Sequence, residues 1–172
     1  TDPVTTASGS FKVEISGEIG DAVASSRRAK AVYATQTWPL KSAGVSVELP
    51  AYWTLDRSTN GQATRMFCTR DANTTLGAAT TLTVVHTRTG DPKAQINQLQ
   101  AQWTAEYGKV RRERIKSPLG KGTALTFSFQ GIVQRNEFIP YGSGVLHLSL
   151  TTPANCKSKL KDLRRARRSL AA

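Results

Sequence analysis

The chain has 172 residues, 38% of them hydrophobic, and a formal net charge of +12. That size suits one domain with a true core plus an arm, and the composition is that of an ordinary globular chain. No apolar run approaches the roughly 18 residues that would cross a membrane as a helix, and the start at Thr1, with no basic-then-apolar leader, leads us to expect that any targeting segment has been removed.

Residues 1–10 are small, polar and turn-rich, as in a flexible arm or tether. Phe11, Val13 and Ile15 then alternate with polar residues, the period of a half-buried strand, which Gly17 and Gly20 end. Residues 22–34 are Ala-rich around Arg27, Arg28 and Lys30 and suggest a short helix. Residues 1–40 are thus expected to form an N-terminal extension, and residues 41–172 the domain.

Within the domain, Val45, Val47 and Leu49 alternate along a strand that Pro50 closes, because proline offers no N–H to a ladder. Trp53 follows on a bend. Asp56 to Gly61 is a turn cluster whose Asn60-Gly61 pair favours a hairpin. Arg65 to Thr69 is expected as a short strand, Asp71 to Asn73 as a turn, and the Thr- and Val-rich run from Thr80 to Thr87 as a strand.

The period then changes. Asp91 is placed to cap a helix, and Pro92 fits its first turn. Ile96, Leu99, Trp103 and Tyr107 fall on one helical face, which we expect to pack on a sheet, and Gly108 ends the helix. Lys109 to Lys121 reads as a basic strand or loop. Two strands close the sheet, one carrying Leu125, Phe127 and Phe129, the other Leu146, Leu148 and Leu150, with Asn136 to Gly144 as the link between them. A last helix has Cys156, Leu160, Leu163, Ala166 and Leu170 on its apolar face.

The charge is unevenly placed. Residues 1–40 sum to zero, whereas 109–121 carry six bases against Glu113 and 155–172 carry seven against Asp162. We single out Lys109, Arg111, Arg112, Arg114 and Lys116, with Lys157, Lys161, Arg164, Arg165 and Arg168, as partner-binding basic patches. Clustered cations recruit anionic surfaces: acidic protein, anionic lipid or nucleic acid. Nucleic acid is the weaker candidate, because the tryptophans are not interleaved with the bases and no known nucleic-acid-binding motif is present.

Nothing points to catalysis. His86 and His147 sit in alternating strands, outside any nucleophile, metal or phosphate motif. We expect no catalytic residues, no metal site and no cofactor. Cys68 and Cys156 allow one disulfide in an oxidising compartment, or equally two buried thiols.

The order of these patterns resembles the PsbP/Mog1/DcrB-like superfamily, which includes LpqN-type lipoproteins. The resemblance rests on Gly44-Val45-Ser46-Val47-Glu48-Leu49-Pro50-Ala51-Tyr52-Trp53, Gly122-Thr123-Ala124-Leu125-Thr126-Phe127, Val145-Leu146-His147-Leu148-Ser149-Leu150-Thr151-Thr152-Pro153 and the terminal Ser169-Leu170. It implies an α+β fold, a central antiparallel sheet flanked by helices. It also implies a non-catalytic accessory or assembly subunit, periplasmic or lumenal, peripheral or lipid-anchored, on a membrane-protein complex.

Overall fold

The computed structural model describes residues 35–40, 43–55, 63–68, 80–88, 90–156 and 158–172, and the backbone of two short strands near the start. The expected helix at 22–34, most of the strand from Phe11 to Ile15, and the turns at 56–61 and 71–73 lie outside the described residues. Strands β1 (Val4–Thr6) and β2 (Gly9–Phe11) pair antiparallel with each other.

The centre is one antiparallel sheet. Its strands are β5 (Trp53–Leu55), β6 (Ala63–Cys68), β7 (Thr81–Arg88), β8 (Arg111–Ser117), β9 (Gly120–Phe129), β10 (Ile132–Tyr141) and β11 (Gly144–Pro153). Their spatial order is β5-β6-β7-β11-β10-β9-β8. Sequential strands pair wherever a tight turn allows it. Gln130 (φ 48°) and Gly131 (φ 78°) both adopt the left-handed region between β9 and β10, which a two-residue hairpin turn requires.

Strand β10 corrects the sequence reading. Asn136 to Tyr141 is not a link but the second half of a ten-residue strand between β9 and β11. Its alternation is hidden because Arg135 is largely enclosed and Asn136 and Glu137 are fully buried, so polar residues stand where a pattern search expects apolar ones.

Each face of the sheet is covered. On one lies helix α1 (Pro92–Tyr107), as the sequence predicted. Asp91 Oδ1 accepts from the Ala94 N–H at 2.9 Å, Pro92 occupies the first turn, and Gly108 follows at φ 80°. Ile96, Leu99 and Trp103 pack on Leu125, Phe138 and Val145. Tyr107 stacks on Phe127, with ring centroids 4.5 Å apart and planes 5° apart. Each such aromatic pair adds about 1 kcal/mol to simple burial.

The other face carries two pieces. One is the hairpin of β3 (Thr35–Leu40) and β4 (Val45–Pro50). The other is helix α2 (Lys159–Arg168). Leu40, Val47 and Leu49 from the hairpin and Leu163, Ala166 and Leu170 from the C-terminal segment share one core with Leu82, Leu146, Leu148 and Leu150 of the sheet. Burying each of these larger side chains is worth about 2 kcal/mol. Thr35 to Leu40, the end of the expected extension, therefore pair with β4 and reach the core.

The residues that carried the resemblance hold these layers together. Tyr52 Oη and Trp53 Nε1 both donate to Asp162 Oδ2, at 2.7 and 3.0 Å, so the turn after Pro50 grips α2. At the far end Ser169 Oγ accepts from the Glu48 N–H at 2.7 Å, and Ala171 exchanges backbone hydrogen bonds with Ser46. The final helix is thereby held near its start by Tyr52 and Trp53 and beyond its end by β4.

Candidate functional site

Helix α2 crosses the sheet beside its edge strand β8, and a cleft of about 630 Å³ lies between them. Arg111, Arg114 and Lys116 come from β8; Arg164 and Arg168 come from α2. Two basic segments roughly fifty residues apart in sequence thus meet at one place. Five of the ten partner-binding cations expected from the sequence line this cleft.

Beneath it lies a charge network that sequence reasoning missed. Glu137 is fully buried in β10, and its Oε1 accepts from Arg167 Nη1 at 2.7 Å and from Arg135 Nε at 2.9 Å. Arg135 Nη1 also donates to Glu113 Oε2 at 2.6 Å, and Arg111 pairs with the other oxygen of Glu113. A buried carboxylate persists only when such partners replace its water. The Arg135 hydrogen bond holds the Glu113 carboxyl below the usual range; partial burial opposes this, and Arg111 and Arg164 reinforce it. Burial works against the Arg135 charge, but Glu113 and Glu137 outweigh it and raise its pKa.

The network uses up Arg111, Arg135 and Arg167. Arg114, Lys116, Arg164 and Arg168 make no ion pair among the described residues, and all four are exposed. Arg164 and Arg168 of α2 thus stand in the cleft, with Arg114 and Lys116 along its β8 rim, and none of the four is ion-paired among the described residues. Its chemistry is that of an anion receptor: carboxylates fit the forked guanidinium donors.

A second cleft of similar volume, about 630 Å³, opens on the opposite face of β8, beside the start of α1. Its floor is apolar, formed by Ile96, Phe138 and Pro140, and its rim carries Lys93, Lys116 and Lys121. Gly122 lies in its wall; a Cβ there would sit 2.3 Å from the Phe138 carbonyl oxygen, so no larger residue fits. Arg112 points to this face and donates to Asn97 and Gln100 of α1 at 2.7 and 2.9 Å.

The remaining expected residues are spread more widely. Lys109 is exposed just before β8, and Lys161 is exposed on α2. Arg165 reaches away from the cleft to Thr35 Oγ1 at 2.5 Å. Lys157 lies outside the described residues. Cys156 precedes α2 rather than lying on it, and it is not bridged to Cys68, which is buried with the Lys159 ammonium 2.9 Å from its sulfur.

Neither histidine lines either cleft. His147 is packed under α1, stacked on Phe138 at 4.4 Å and 2.9 Å from Asn136 Oδ1; burial pushes its pKa down to about 4. His86 lies 3.1 Å from the Tyr141 carbonyl. Among the described residues no group of three or more His, Cys, Asp or Glu side chains could hold a metal ion, and no helix is long and apolar enough to cross a membrane.

No family model matches the sequence, and no curated protein matches it. Solved structures match the fold. The Ran-binding protein Mog1p of Saccharomyces cerevisiae superimposes with a TM-score of 0.55 at 12% identity, over 81% of this chain and 95% of that one. Cyanobacterial PsbP (CyanoP) from Synechocystis sp. PCC 6803 gives a TM-score of 0.54 at 9% identity, over 84% of this chain and 96% of that one. LpqN of Mycobacterium tuberculosis, involved in cell envelope biogenesis, gives a TM-score of 0.50 at 13% identity, over 84% and 88%. At these identities the likeness is one of architecture, and the chain has the PsbP/Mog1/DcrB-like α+β sandwich fold.

Proposed function

We propose that this protein is a non-catalytic accessory or assembly subunit that docks an acidic protein surface in the arginine cleft between β8 and α2. The observation that carries this reading is the meeting of Arg164 and Arg168 of α2, beside a floor fixed by Glu137, with Arg114 and Lys116 on the edge of β8, all four without ion-pair partners among the described residues. One structural neighbour is a Ran-binding protein and another acts in cell envelope biogenesis, which favours a binding role over chemistry. We place the docking on the extracytoplasmic face of a membrane-protein complex, photosynthetic or of the envelope, with the N-terminal extension as tether and anionic lipid as a second contact for the basic surface.

Nucleic-acid binding is the alternative use of the same cations. It is disfavoured because, among the described residues, the arginine cleft has no aromatic residue in its lining and the one aromatic ring of the second cleft, Phe138, is buried. The two clefts thus offer bases no exposed aromatic platform among the described residues.

A native pull-down from gently solubilised membranes tests the reading. The full chain is compared with Arg164→Glu/Arg168→Glu and with a chain lacking residues 1–34, a cut that spares β3. A membrane complex is expected with the full chain and is lost with either change. Recovery of nucleic acid alone, equally with the full chain and the truncated one, would overturn it.

A further inference from the structure

The two clefts are the two sides of one strand. Strand β8 ends the sheet and, among the described residues, pairs only with β9. An edge strand presents a row of unpaired N–H and C=O groups. Its side chains alternate: Glu113 and Ile115 turn to the α2 side, whereas Arg112 turns to α1 and Arg114 and Lys116 share its side of the strand. Arg114, Ile115 and Lys116 line both clefts, so the free edge runs along the ridge between them.

Charge on an edge strand commonly serves to keep other strands away. That purpose needs charge on the strand alone. Here further cations converge on the same ridge from separate elements: Arg164 and Arg168 from α2, Lys93 from α1, Lys121 from β9. Together they make a field that repels a basic strand and attracts an acidic one.

Resting on the docking reading above, we propose that the partner's acidic segment binds as an added β-strand along the free edge of β8. Its backbone pairs with β8, and its side chains alternate between the clefts. Carboxylates on one side of the added strand enter the arginine cleft. Apolar residues on the other side enter the second cleft, over Ile96, Phe138 and Pro140. The motif selected is therefore an extended alternation of acidic and apolar residues, in which backbone pairing supplies affinity and the two clefts supply specificity.

The probe is a fluorescein-labelled peptide in which four glutamates alternate with three valines, matching the seven residues of β8. It is titrated by fluorescence anisotropy against the full chain, beside a peptide of the same composition with the glutamates in one block. Two further peptides carry three N-methyl groups each, on the valine nitrogens or on three glutamate nitrogens. Strand pairing predicts that the alternating peptide binds about tenfold or more tighter than the block peptide. It also predicts that one methylated set loses binding while the other keeps it, because only every second N–H faces β8. Equal binding of the alternating and block peptides, with equal effects of the two methylated sets, would overturn strand pairing and leave the docking reading standing. Undiminished binding of the alternating peptide to Arg164→Glu/Arg168→Glu would overturn the docking reading itself.

Discussion

Glu137 Oε1 and Arg167 Nη1 lie 2.7 Å apart, and this contact ties the middle of β10 to the last helix. Both side chains are nearly inaccessible, Glu137 wholly so. The pair sets where α2 lies on the sheet, and hence where Arg164 and Arg168 stand relative to β8.

Breaking that pair from one side leaves a buried, uncompensated guanidinium. Glu137→Ala is expected to cost about 3–5 kcal/mol in urea denaturation. The double replacement Glu137→Leu/Arg167→Met removes both charges and is expected to recover most of the loss, with Arg135 still held by Glu113 at 2.6 Å. A single variant as stable as the parent would show that the pair does not anchor the helix.

The acid limb of stability has two steps. The His147 pKa of about 4 in the folded protein lies below its unfolded value of about 6.5. The unfolded chain therefore binds the proton first, so this contribution is complete above about pH 6.5 and is lost as pH falls towards 4. The loss is about 3 kcal/mol. Glu113, whose pKa is also depressed, adds a second loss as pH falls from about 4.3 through its folded value. His147→Gln keeps a side chain able to donate to Asn136 but cannot titrate. Urea midpoints between pH 7.5 and 4.5 should be nearly flat in that variant and fall steeply in the parent.

Asp162 accepts two hydrogen bonds, one from Trp53 at a buried site. Asp162→Ala is expected to destabilise by about 2 kcal/mol, and Tyr52→Phe by about 1 kcal/mol. Thermal denaturation of both variants checks this grip of the first strands on the final helix.

Much of this architecture was legible in the sequence, for local reasons. Asp91, Pro92 and Gly108 mark the ends of α1, and Ile96, Leu99 and Trp103 mark its buried face, all within one stretch of chain. Leu146, Leu148 and Leu150 announce β11 by their alternation. What was hidden depended on pairs distant in sequence. Arg135, Asn136 and Glu137 look like a polar link until Arg167 and Glu113 are placed against them. Tyr52 and Trp53 look like a bend until Asp162 meets them. The basic segments were visible as charge, but their meeting depends on β8 ending the sheet and α2 crossing next to it. Arg165 shows the limit of counting charge: it is as basic as its neighbours but turns to Thr35.

Arg164 and Arg168 are exposed and form no ion pair among the described residues, so reversing both should change stability by about 1 kcal/mol or less. That permits a clean test of the cleft. Labelled polyglutamate and a labelled DNA oligonucleotide of similar length are titrated against the parent chain and Arg164→Glu/Arg168→Glu at matched salt. Docking of an acidic protein predicts that polyglutamate binds the parent at least about tenfold more tightly than the variant, and that DNA does not displace it. Equal polyglutamate binding to both proteins, or displacement by stoichiometric DNA, would contradict the assignment of the cleft.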